Sequence, residues 1–188
     1  MKISTSTVTK LAITGVSDMD AISVMIEDFG PGAGKITVTC AGEAWTHYWS
    51  HMGEHHTMRS FFLKCDTPYL IGKLKTGIER RIGSKDDELL QQALRKHILK
   101  RRREGRIKQD EARELWDEAE YASFDGEYQE LCQLVFGTDW WFNLPKEDNP
   151  DYIYLGKIVD TVKAAFSLEE LQQGKAAQSP STVATIEP

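Results

Sequence analysis

Long apolar runs, closely spaced cysteines and an excess of positive charge are all missing from this sequence. No window approaches the length and apolarity of a membrane span, and the start, Met1-Lys2-Ile3-Ser4-Thr5, leads to Lys10 without the apolar stretch of a secretory leader. The cysteines Cys40, Cys65 and Cys132 are odd in number and widely spaced, with no CxxC, which argues against a disulfide framework or a thiolate zinc site. A reducing cytoplasm is the expected setting. The formal charge of −6 opposes wholesale binding to a polyanion, although a local basic patch can override it. Nucleophile and phosphate motifs are also absent: there is no GxSxG, and Gly30-Pro31-Gly32-Ala33-Gly34 precedes a strand pattern and lacks the Lys-Ser/Thr ending of a phosphate loop. These absences lead us to expect a non-enzymatic protein with no cofactor.

What is present is the composition of an ordinary globular chain. With 188 residues, 40% hydrophobic and 28% charged, it is long enough for one domain with a real core. The first third reads as sheet. Val8–Val16 and Ala21–Asp28 are rich in β-branched residues, and Lys35-Ile36-Thr37-Val38-Thr39-Cys40 alternates, with Ile36, Val38 and Cys40 on one face. Trp45–Trp49 continues with strand-favouring residues. From about Thr57 the periodicity is helical. Short amphipathic pieces at Ser60–Lys64 and Pro68–Leu74 precede a helix capped by Ser84, with Leu90, Leu94 and Ile98 on its core face and Gly105 as its stop. Further helices run from Lys108 to Tyr121, around Tyr128–Phe136, and onward from Asn149-Pro150-Asp151, a helix start with proline at the first position. The expected fold is α+β: an N-terminal antiparallel meander of three or four strands, followed by about five helices packed on it. Residues 1–170 are expected to form one domain, and 171–188, rich in Gln, Ala, Ser, Thr and Pro, a disordered tail.

Three blocks carry candidate chemistry. The first holds four of the five histidines, in His47-Tyr48-Trp49-Ser50-His51-Met52-Gly53-Glu54-His55-His56. On a helix, His47, His51 and His55 would stack at i, i+4, i+8 and form a candidate metal site, hence a metal-dependent enzyme. HExxH is absent and Gly53 interrupts the run, so the strand reading, with Trp45, His47 and Trp49 on one face, is favoured and no metal is assigned. The second is a reversal of charge. Arg95 to Lys108 contains Arg95, Lys96, Lys100, Arg101, Arg102, Arg103, Arg106 and Lys108 against Glu104 alone, whereas Asp110–Glu130 is acidic except for Arg113. Basic residues ending one helix and acids starting the next complement both helix dipoles. The same 95–108 segment makes nucleic acid a possible partner, with Trp116 or Tyr121 available for stacking. The third block, Phe136-Gly137-Thr138-Asp139-Trp140-Trp141-Phe142-Asn143-Leu144-Pro145, suits either a partner anchor or the core, and core packing is favoured because aromatics bury large areas.

Gly42-Glu43-Ala44-Trp45-Thr46-His47-Tyr48-Trp49-Ser50-His51-Met52-Gly53, together with Phe136–Phe166 and its Asp139-Trp140-Trp141 and Asn149-Pro150, resembles a family of accessory proteins encoded by tailed bacteriophages and prophages. The resemblance covers most of the chain except the tail and carries over no catalytic residue. It implies an accessory protein acting in an infected bacterium, where such proteins modulate host or defence machinery. The leading expectation is therefore a non-enzymatic protein that docks on a bacterial host or defence protein, a nucleic-acid-processing complex among the candidates. Arg101, Arg102, Arg103, Arg106, Trp140 and Trp141 are the candidate partner-binding residues. The alternatives are a nucleic-acid-binding accessory factor and, third, the metal enzyme at His47, His51 and His55.

Overall fold

The computed structural model describes residues 1–3, 5 and 7–177. Along the chain run β1 (Thr9–Ile13), β2 (Ile22–Asp28), β3 (Gly34–Cys40), β4 (Glu43–Trp49), α1 (Met58–Lys64), α2 (Thr67–Leu74), β5 (Arg81–Gly83), α3 (Asp87–Arg103), α4 (Gln109–Glu118), α5 (Gln129–Phe136), β6 (Lys146–Asp148) and α6 (Pro150–Ala177). Single 3₁₀ turns lie at Ala119–Tyr121 and Trp140–Asn143. The fold is α+β, with an antiparallel sheet ordered β1-β2-β3-β4. Among the described residues no helix is long and apolar enough to cross a membrane.

Where one domain over 1–170 was expected, the chain divides into two compact units, one of Met1–Ile78 with the segment from Pro150 onward, the other of Glu79–Asn149. In the first, two-residue alternation puts Ile22, Val24, Ile26, Ile36, Val38, Cys40, Trp45 and Trp49 on one buried face. The register confirms that these residues share a face: Val24 lies opposite Val38, and Val38 opposite Trp45. β3 and β4 are joined by Ala41-Gly42, both at positive φ (50° and 83°), the backbone that a two-residue hairpin needs to match strand twist. Phe62, Leu70, Ile71, Leu155, Ile158, Val162 and Phe166 of α1, α2 and α6 complete the core, with Phe62 edge-on to Phe166 at 5.8 Å. Thr57 and Ser60 cap α1 reciprocally, and Asp66 caps α2.

The second unit interrupts the first in sequence. Its chain enters and leaves through the antiparallel pair β5–β6, with Ile82 opposite Glu147. Helix α3 is capped by the Asp86 side chain, not by Ser84. Ser84 is buried at the end of the strand pair, donating to Glu147 at 2.7 Å and accepting from the Asp86 amide at 3.1 Å. Leu90, Leu94 and Ile98 pack with Ile107, Leu115, Leu131, Cys132 and Val135 into a separate core. Helix α6 continues through 171–177, which the sequence had placed in the tail; the rest of that expected tail, 178–188, lies outside the described residues.

Candidate binding cleft

The histidine block forms a strand and the turns after it, so the helical stack that chelation required is not formed. Trp45, His47 and Trp49 share the core face of β4, with the His47 ring edge-on to Trp49 at 4.4 Å. Burial first, and then the Lys73 ammonium, hold the His47 imidazole below its ordinary value of 6.5. Trp49 Nε1 donates to Tyr69 Oη at 3.0 Å. His51 is exposed beside Ser50, His55 is exposed, and His56 sits against Ser60. This part of the chain is fastened to the β2–β3 turn: Met52 N donates to Gly32 O at 2.6 Å, and a Cβ on Gly32 would lie 2.8 Å from Gly53 O. Among the described residues no group of three or more His, Cys, Asp or Glu side chains is placed to hold a metal ion. The thiols of Cys65 and Cys132 are poor nucleophiles. Burial, with Asp66 alongside, raises Cys65, and burial alone pushes Cys132 up to about 11.

The four candidate arginines do not form one patch. The Arg101 guanidinium donates to the carbonyl oxygens of Leu134 and, at 3.3 Å, Val135, which the end of α5 would otherwise leave without helical donors. That contact ties α3 to the end of α5. Arg106 pairs with Glu104 at 3.0 Å. Arg102 borders a shallow apolar groove of about 300 Å³ that includes Leu99, Ala112 and Trp116. Successive helix residues point about 100° apart, and Arg103, next to Arg102, is not part of that groove's lining.

Arg103 belongs to a cleft of about 660 Å³, lined along α3 by Ala93, Lys96, His97, Lys100 and Arg103, followed by Glu104. Across from these lie Phe136, the last residue of α5, and Asn143, the last of the second 3₁₀ turn. Lys96, Lys100 and Arg103 stand at i, i+4, i+7, one stripe of a helix. The salt bridges among the described residues engage Lys35, Arg59, Lys75, Arg81, Arg95 and Arg106, so none of the three cleft cations has a carboxylate partner there. His97 lies edge-on to Phe136 at 5.1 Å. Burial, then the positive charges of Lys100, Arg101 and Arg106, hold its imidazole below 6.5, with Glu104 opposing.

The aromatic block divides between the two roles considered for it. Trp140 is half-buried and packs edge-on to Tyr128 at 5.9 Å. Trp141 and Phe142 are 50% and 76% exposed, in the same turn as the cleft residue Asn143. His97 was not singled out from sequence; Lys96 and Lys100 stood only as members of the basic 95–108 segment, and Phe136 and Asn143 only as flanks of the paired tryptophans. The i, i+4, i+7 spacing of the three cations was the available signal, but it points to no wall facing them. A smaller hollow in the first unit, about 250 Å³, is lined by Glu43, Trp45, Lys75, Asp151 and Tyr154. Its one cation, Lys75, meets Asp151 at 3.1 Å, and Glu43 adds a second carboxylate.

A family model described as a phage family matches residues 1–167. The chain belongs to that family. The match spans both stretches that carried the resemblance to phage-encoded proteins. No curated protein and no solved structure matches this phage-family chain.

Proposed function

We propose that this phage-family protein is a non-enzymatic accessory protein that docks on a bacterial host or defence protein in the host cytoplasm, using the unit Glu79–Asn149 as its contact surface. One observation carries the reading: unpaired Lys96, Lys100 and Arg103 line a cleft together with Phe136, and the turn that supplies Asn143 also holds Trp141 and Phe142 exposed. Exposed aromatics supply much of the energy of protein interfaces, and unpaired charges at the rim steer the approach of a partner of opposite sign. The partner surface in this reading moves from Arg101–Arg103 to Lys96, Lys100, Arg103 and Trp141, because Arg101 and Arg106 already have partners within the chain. Modulation of a defence or nucleic-acid-processing complex belongs to the same proposal. The test is affinity capture from the bacterial host with the wild-type chain and with Lys96→Glu/Lys100→Glu/Arg103→Glu. A defined bacterial protein recovered with the wild type and lost with the variant is the expected result; equal recovery contradicts the assignment.

A further inference from the structure

We propose that the 660 Å³ cleft accepts an acidic peptide segment of the partner, its carboxylates lying along the Lys96–Lys100–Arg103 stripe and an apolar side chain resting on Phe136. This inference rests on the docking reading and adds the chemistry of what docks. Helical rise places Lys96 and Lys100 about 6 Å apart along the axis. Alternate residues of an extended segment, which project to the same side, are about 6.6 Å apart, so two carboxylates separated by one residue match two successive cations. The cleft's own acid does not compete for them, because Glu104 is held by Arg106 at 3.0 Å.

Charge distribution favours a short acidic segment over a nucleic-acid strand. Within Glu79–Asn149 acidic residues outnumber basic ones, and α4 with the turn after it carries Asp110, Glu111, Glu114, Asp117, Glu118 and Glu120. A ligand confined to the cleft feels chiefly the three local cations, since charges beyond roughly 10 Å are screened at ordinary ionic strength. A polyanion long enough to leave the cleft meets the net negative field of the rest of the unit. The apolar wall adds a requirement that charge alone does not impose, because Phe136 gains from a partner side chain that excludes water.

The experiment uses the full chain and three fluorescent probes: an eight-residue peptide of alternating Glu and Ser with one central Phe, its counterpart with every Glu replaced by Gln, and a ten-nucleotide oligothymidylate. Anisotropy should show the Glu peptide binding at least tenfold more tightly than the Gln peptide, with affinity falling as salt rises. Lys96→Gln/Lys100→Gln/Arg103→Gln should remove that difference while circular dichroism stays that of the wild type. The His97 ring signals in NMR should move on addition of the Glu peptide, a readout that bulk charge attraction elsewhere would not give. Equal binding of the Glu and Gln peptides, or tighter binding of the oligothymidylate than of the Glu peptide, overturns the inference. Peptide selectivity without capture of any bacterial protein would sink the docking reading and leave the inference standing. Capture that survives in the cleft variant, with no peptide selectivity, would overturn the inference.

Discussion

In the sheet-containing unit Lys35, Arg59 and Lys75 each meet a carboxylate, at 3.2, 3.1 and 3.1 Å, whereas in Glu79–Asn149 Lys96, Lys100 and Arg103 meet none and line a cleft instead. The tryptophans of the first unit also differ from the exposed turn of the second. Trp45 and Trp49 are buried at 7% and 6% exposure, but Trp141 and Phe142 of the other unit stand at 50% and 76%. Exposed ion pairs contribute only about 0–1 kcal/mol each, so leaving three cations unpaired costs the second unit little stability. The difference therefore concerns placement: both units leave cations outside ion pairs, but in Glu79–Asn149 three of them line one cleft, and the turn that supplies its residue Asn143 holds Trp141 and Phe142 exposed.

The comparison first requires that each unit have a core of its own. Phe62→Ala and Leu94→Ala each remove a fully buried side chain and should lower stability by about 3–5 and 2–5 kcal/mol respectively, read from urea unfolding. A Leu94→Ala protein that unfolds like the wild type would deny the second unit its core. The arginines separate structural from available charge. Arg101→Ala removes donors from the carbonyls ending α5 and should cost about 1.5–3 kcal/mol, while Arg103→Ala should stay within about 0.5 kcal/mol. Equal effects would erase the distinction drawn between them.

The smallest effect is that of pH. His97 is held below 6.5 in the folded chain by burial and by Lys100, Arg101 and Arg106, against Glu104. The unfolded state therefore binds the proton more readily, so the stability His97 contributes is present above about pH 6.5 and is lost as pH falls through the lowered folded value. His97→Gln should flatten that part of the pH–stability curve, measured by denaturant unfolding between pH 5 and 7.5. Carboxylates seated in the cleft should raise the His97 pKa in NMR titration. An unchanged or lowered value would place the bound acid elsewhere.

The extent to which these features were legible in sequence follows the range of the interactions. The alternation Ile36-Val38-Cys40 and the aromatic strand Trp45–Trp49 report their structure locally, as do the apolar stripes of α3, α5 and α6. The division into two units was hidden because β5 and β6 are three residues each and pair across some sixty residues of chain, too short for a periodic signal. Ser84 resembled a cap because serine fits that position, but its hydroxyl is taken by Glu147, a partner distant in sequence, and Asp86 caps instead. Arg101 looked like its neighbours Arg102 and Arg103 for the same reason: what separates them is two carbonyls on another helix. The cleft itself needed Phe136 and Asn143 set against α3, which no single helix pattern contains.

Hydrogen–deuterium exchange of the chain with and without its captured bacterial partner tests most directly whether the second unit is the contact surface. Protection on binding should fall on 93–104 and 136–143, with the exchange of β1–β4 unchanged. Protection confined to β1–β4 or α6, with none along α3 and the Trp140–Asn143 turn, would contradict the assignment.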